Sequence, residues 1–114
     1  MREDGKIDYV EFGCPGVGPQ KDFYAKAFGW TFVDYGPDYA AFEGASAGLD
    51  GGFTADTPDS RPLVVLFATD LEAKQASVEA AGGVITVPIF SFPGGRRFHF
   101  KDPAGNELAV WAEP

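Results

Sequence analysis

Apolar and polar positions alternate over Ile7-Asp8-Tyr9-Val10-Glu11-Phe12, which predicts a strand. Gly13 to Pro19 is rich in breakers and reads as a loop. From about Pro19 to Phe28 the apolar spacing changes to four, with Phe23 above Ala27 and Tyr24 above Phe28, and predicts a helix. Pro19 suits its first turn and Gly29 ends it as a left-handed cap. Trp30 to Tyr35 and Tyr39 to Glu43 are β-branched and aromatic, hence strands, separated by the turn Gly36-Pro37-Asp38. Gly44 to Asp50 reads as a loop and Gly51 to Ala55 as a weak strand.

The same order then returns. Leu63 to Ala68 is an apolar strand of the kind buried on both faces. Thr69-Asp70-Leu71-Glu72 has the form of a capping box, with Thr69 as the cap, and opens a helix that runs to about Ala81 and stops at Gly82-Gly83. Val84 to Phe92 is a strand bent at Pro88. Arg96 to Lys101 and Asn106 to Trp111 are strands on either side of a type I turn, Asp102-Pro103-Ala104-Gly105. Gly29 and Gly83 are 54 positions apart, and so are Tyr9 and Leu63. This shared offset argues for an internal βαβββ duplication, with halves at about 7–55 and 63–111 joined by a polar linker over 56–62. The alternative architecture is an unduplicated α+β sandwich on one antiparallel sheet.

A chain of 114 residues that is 45% hydrophobic and 23% charged makes a single globular domain, 1–114. The net charge of −8 opposes binding to nucleic acid and to anionic membranes, so neither is expected as a partner. One cysteine, Cys14, rules out an intramolecular disulfide and a multi-cysteine zinc site. One histidine, His99, rules out a two-histidine site within the chain. No apolar run is long enough to span a membrane, and Met1 to Lys6 lacks a secretion core, so a cytoplasmic location is expected.

Three motifs resemble a known family. Phe23-Tyr24 with Phe28-Gly29-Trp30 is similar to its first helix end. Asp70-Leu71 followed by Ala81-Gly82-Gly83 is similar to its second helix, and Phe100-Lys101-Asp102-Pro103-Ala104-Gly105-Asn106 to its hairpin. Together they resemble the vicinal oxygen chelate superfamily of glyoxalase I, extradiol dioxygenases, fosfomycin-modifying enzymes and bleomycin-resistance proteins. The resemblance implies an α+β fold in which two βαβββ modules form a cup-shaped mixed sheet. It also implies a homodimer, in some members with the cup built across two chains.

Metal-dependent members carry ligands on the first and last strands of each module. Those places fall here on Tyr9, near Gly52-Phe53, on Leu63 and on Ala109, none of them a histidine or carboxylate. An oxygen-rich set of Glu11, Glu107 and His99 is the remaining alternative. The resemblance so corrected implies a metal-free member with no cofactor, lacking the Lewis-acid route of its relatives.

His99 serves either as a hydrogen-bond donor or general base, or as a half-exposed strand histidine between Arg97 and Lys101. Tyr9 and Trp111 either line the cup for a flat or cationic ligand or fill it as core. Glu11 and Glu107 are either a carboxylate pair favouring a basic ligand or solvated rim groups. Arg96 and Arg97 either grip an anion or counter nearby acids, and Cys14 reads as inert. Phe98, Phe100, Val64 and Leu66 are read as core. The candidate ligand-binding residues are thus Tyr9, Glu11, Phe53, His99, Glu107 and Trp111; His99, Glu11 and Glu107 are also the candidate acid/base groups. Two functions fit: a protein that holds an apolar or aromatic small molecule, neutral or cationic, without a metal, or a glyoxalase-like lyase or isomerase using His99 and a glutamate. A third reading, a filled cup serving only as a dimeric partner module, makes no use of these residues.

Overall fold

A computed structural model of the chain describes residues 2–59 and 61–114; Ser60, within the expected linker, lies outside the described residues. The described residues form eight strands and three helices: β1 Ile7–Gly13, α1 Val17–Phe28, β2 Phe32–Asp34, β3 Tyr39–Phe42, α2 Gly44–Ala47, β4 Gly51–Thr54, β5 Leu63–Phe67, α3 Leu71–Ala80, β6 Val84–Phe92, β7 Gly95–Lys101 and β8 Glu107–Ala112. The chain divides into two compact units. One is Tyr9–Leu63; the other joins the residues up to Asp8 with Val64–Pro114.

In the Tyr9–Leu63 unit, β1 pairs in parallel with β4, β4 antiparallel with β3, and β3 antiparallel with β2. The register places Val10, Phe12, Ala40, Phe42 and Phe53 on one face and Tyr9, Glu11, Tyr39, Ala41 and Gly52 on the other. The first face is the core: Phe42 and Phe53 are buried with Cys14 and Val17, and Tyr24, Trp30 and Phe32 pack against them. α1 is tied to this cluster by Val17 and Tyr24, whereas Phe23 and Phe28 of the expected stripe stay exposed. It begins at Val17, two residues before Pro19, and Gly29 closes it at φ +74° with its N–H donated to the Ala25 carbonyl. Trp30 is drawn into this cluster and leaves the strand, so β2 is shorter than expected. The expected loop after β3 contains a single helical turn, α2, whose Gly44 N–H is held by the Asp50 carboxylate at 2.7 Å.

The other unit has the same plan, so the βαβββ order occurs twice. β5 pairs in parallel with β8, β8 antiparallel with β7, and β7 antiparallel with β6. Leu66, Ile85, Ile89, Phe98, Phe100 and Val110 pack with Leu71 and Val78 of α3. The register of β6 slips twice, once on each side of Val87, and the second slip spans Pro88. A bulge there costs little, because proline has no N–H to offer the ladder. The cap of α3 is Asp70, which accepts from the Ala73 N–H at 3.0 Å, and not Thr69. Thr69 instead donates its N–H to Asp4 at 3.0 Å, and Glu72 reaches Arg96. α3 stops before Gly82-Gly83 as expected, and Gly82 is the left-handed residue, at φ +101°. Among the described residues, no helix is long and apolar enough to cross a membrane.

Candidate functional site

In each unit the sheet face turned away from the helices carries the polar and half-buried aromatic side chains; in the unit of β5 to β8, Val65, Phe67 and Ala109 on that face are themselves buried. In the Tyr9–Leu63 unit that face holds a chain of hydroxyls. Tyr39 donates its O–H to Glu11 Oε2 at 2.9 Å, and the hydroxyls of Tyr9 and Tyr39 lie 2.5 Å apart. Tyr39 has one proton and spends it on the carboxylate, so Tyr9 is the donor to Tyr39. The three residues come from β1 and β3, with Gly52 of β4 between them in the register. Gly52 is required there: a Cβ would sit 2.6 Å from Tyr39 Cζ and 2.7 Å from its Cε1. Burial pushes the Tyr9 phenol up to about 12, with the charges of Glu11 and Asp50 adding to it. Burial and then the Glu11 charge push Tyr39 higher still. Both phenols therefore keep their protons at neutral pH.

In the other unit the corresponding face is aromatic. Trp111 lies beside Phe67 at 5.3 Å and Phe92 at 6.4 Å between ring centres. Its indole N–H donates to Asp8 at 2.9 Å, and the Arg2 guanidinium donates to the same carboxylate oxygen at 3.1 Å. Arg2 also lies over the Trp111 ring at 5.1 Å. Arg97 lies over Phe90 and Phe92 at 5.5 and 5.6 Å. Farther along, Thr86 donates to Glu107 Oε2 at 2.7 Å, and His99 Nδ1 is 3.9 Å from that oxygen. An open cleft of about 480 Å³ is lined by Arg2, Phe67, Ala68, Thr69, Glu113 and Pro114.

The expected site residues therefore fall in two groups. Tyr9 and Glu11 share one face of the Tyr9–Leu63 unit, and His99, Glu107 and Trp111 share one face of the other. Phe53 does not join the first group. It is wholly buried on the opposite face against Phe12, Phe42 and Tyr24, because its register partner on β1 is Phe12 and not Glu11. Arg96 and Arg97 do not act as a pair: Arg96 grips Glu72 through both terminal nitrogens, while Arg97 faces the aromatic side. Cys14 is buried, its Sγ 3.6 Å from the Thr54 carbonyl, and burial pushes its thiol up, which disfavours the reactive thiolate. Tyr39 joins Tyr9 and Glu11 on their face and was not among the expected residues. Its signal was its place at the start of a short strand paired with a Gly-Gly sequence, and only the register gives that meaning.

Of the four places that carry ion ligands in metal-dependent relatives, the Tyr9 hydroxyl is bonded to Tyr39, Gly52 has no side chain, and Leu63 and Ala109 offer only hydrocarbon. Among the described residues, no three His, Cys, Asp or Glu side chains group as a metal site. The donor set does not fit a divalent ion.

The repeated βαβββ units and these residues define a class. Residues 6–110 match the Glyoxalase/Bleomycin resistance protein/Dioxygenase superfamily, and the chain belongs to it. It is 36% identical to the anthracycline biosynthesis protein DnrV of Streptomyces peucetius, over 94% of this chain and 46% of that protein. The chain thus spans about half the length of the curated relative it matches. It is 28% identical to the Mn(II)-bound glyoxalase of Novosphingobium aromaticivorans, covering 98% of this chain and 40% of that one, with a TM-score of 0.71. Methylmalonyl-CoA epimerase of Mycobacterium tuberculosis shares the fold, with a TM-score of 0.77 and 12% identity over 100% of this chain and 91% of that one.

Proposed function

We propose that this protein holds a flat aromatic small molecule, without a metal ion, on the aromatic face that carries Trp111. The observation behind this reading is the cluster of Trp111, Phe67 and Phe92, with Phe90 36% exposed at its edge, on the face opposite α3. In this reading a planar ligand takes the place that the Arg2 guanidinium holds over the Trp111 ring, while the buried Phe67 backs the indole and the Asp8 hydrogen bond keeps it from turning. The ligand is proposed to be of the polycyclic aromatic kind handled in anthracycline biosynthesis, in line with the similarity to DnrV. His99 lies beside Phe90, with Glu107 3.9 Å from its Nδ1, and is proposed to supply a polar contact at this edge.

The test is a fluorescence titration with an anthracycline, in the presence and absence of EDTA. Saturable quenching that EDTA leaves unchanged, with affinity weakened at least about fivefold in Trp111→Ala by loss of ~1–3 kcal/mol of stacking, is expected. Absence of saturable quenching, or its loss on chelation, overturns the reading.

A lyase or isomerase reading has one observation in its favour, the alignment of Thr86, Glu107 and His99. It requires His99 to move a proton beside a carbonyl. Deuterium uptake from D2O into a small α-hydroxycarbonyl compound, abolished in His99→Gln, would support it over simple holding.

A further inference from the structure

The hydroxyl chain of the Tyr9–Leu63 unit has a direction, and that direction assigns it a ligand. Glu11 accepts from Tyr39, Tyr39 accepts from Tyr9, and so every proton in the chain points toward the carboxylate. The Tyr9 oxygen is left with its lone pairs and no proton to give. Its hydrogen bond is polarised by the carboxylate two links away, which strengthens it as an acceptor. The charges of Glu11 and Asp50 both act on Tyr9 and add negative potential there.

We propose that Tyr9, backed by Tyr39 and Glu11, is a binding site for a protonated primary amine, whose N–H donates to the Tyr9 oxygen. A carboxylate or phosphate is excluded, because the oxygen offers no proton and sits in a negative field. A neutral carbonyl is excluded for the same first reason. A quaternary ammonium keeps the charge but has no N–H, so it lacks the bond that defines the site. The inference does not depend on the aromatic face of the other unit, and each fails by its own measurement.

The probes are benzylammonium and benzyltrimethylammonium, which share ring and charge and differ in N–H donors. Both are titrated into the whole chain while the tyrosine ring signals are followed by NMR. Benzylammonium is expected to shift the Tyr9 signals and to bind at least about five times more tightly than the quaternary ion. In Tyr9→Phe that preference disappears, while the weak affinity for benzyltrimethylammonium is unchanged. In Glu11→Gln the preference shrinks, because the amide oxygen still accepts from Tyr39 but the charge is gone. Equal affinity for the two ions in the native chain overturns the proposal without recourse to a variant. So does a preference that survives in Tyr9→Phe. The preference is expected to persist in Trp111→Ala, which separates this site from the aromatic face.

Discussion

Replacing Gly52 by alanine tests the packing beneath the hydroxyl chain. Gly52 is not one of the left-handed glycines, so alanine meets no backbone penalty. What it meets is the Tyr39 ring, at 2.6 and 2.7 Å from Cζ and Cε1, well inside van der Waals contact. Backbone and register on both sides hold Gly52 in place, so the ring must swing away. The swing breaks the bond to Glu11 and the bond to Tyr9. A hydrogen bond to a charged group is worth ~1.5–3 kcal/mol net and a neutral one ~0.5–1.5 kcal/mol, so the lower ends sum to about 2 kcal/mol. For a domain of this size that lowers the melting temperature by roughly 8 °C. The decisive measurement is a double-mutant cycle in urea. In a Tyr39→Ala background the new methyl has room, and Gly52→Ala is expected to be neutral or to stabilise by ~0.4–1 kcal/mol through the unfolded chain. If Gly52→Ala costs the same with and without the Tyr39 ring, the steric account is wrong.

Two further outcomes are expected. Asp70→Ala removes the cap of α3 and should cost ~1 kcal/mol in urea denaturation, whereas Thr69→Ala keeps the backbone N–H contact to Asp4 at 3.0 Å, loses only the long Oγ1 contact at 3.5 Å, and should cost under about 0.5 kcal/mol; the reverse ranking would restore Thr69 as the cap. Acid should also weaken the fold. The Thr69 backbone N–H, with Lys74, holds Asp4 below its ordinary 3.8, the Arg96 guanidinium holds Glu72 below 4.5, and the Asn106 side chain, with its backbone N–H, holds Asp102 below 3.8. Each folded value is depressed, so the stability these groups contribute is present above their unfolded values and is lost as the pH falls through the folded ones. The urea midpoint should therefore decline below about pH 4.5, and less steeply in Asp102→Ala; parallel acid profiles for the two proteins would contradict this assignment.

Much of the architecture is legible in the chain because its signals are local. A helix end needs only a glycine able to take positive φ, and Gly29 supplies it. A type I turn needs Asp102 and Pro103 in order, and the Gly105 N–H closes it on the Asp102 carbonyl at 2.9 Å. Alternation also places Glu107, Ala109 and Trp111 on one face of β8, as the spacing requires. The start of α3 was legible to within one residue, but its cap was not: Asp70 takes the place expected of Thr69. Thr69 and Glu72 have the right chemistry for a capping box, yet Asp4 and Arg96, distant in sequence, compete for them and win.

Which face a short strand presents is a different kind of fact. Gly51-Gly52-Phe53-Thr54 has no apolar-polar alternation, so nothing local says which way Phe53 points. Pairing with Phe12 and Ala40 sends it into the core and leaves Gly52 beneath the Tyr39 ring. Tyr39 and Glu11 are 28 positions apart, and their hydrogen bond exists only because β3 and β1 flank β4 in that register. The sequence by itself determined the order of the strands and of the two longer helices, the glycine end of α1, the Asp102 turn and the family. Tertiary structure alone decided the hydroxyl chain and its direction, because a shift of one residue in any of those pairings would turn its members to the opposite side of the sheet.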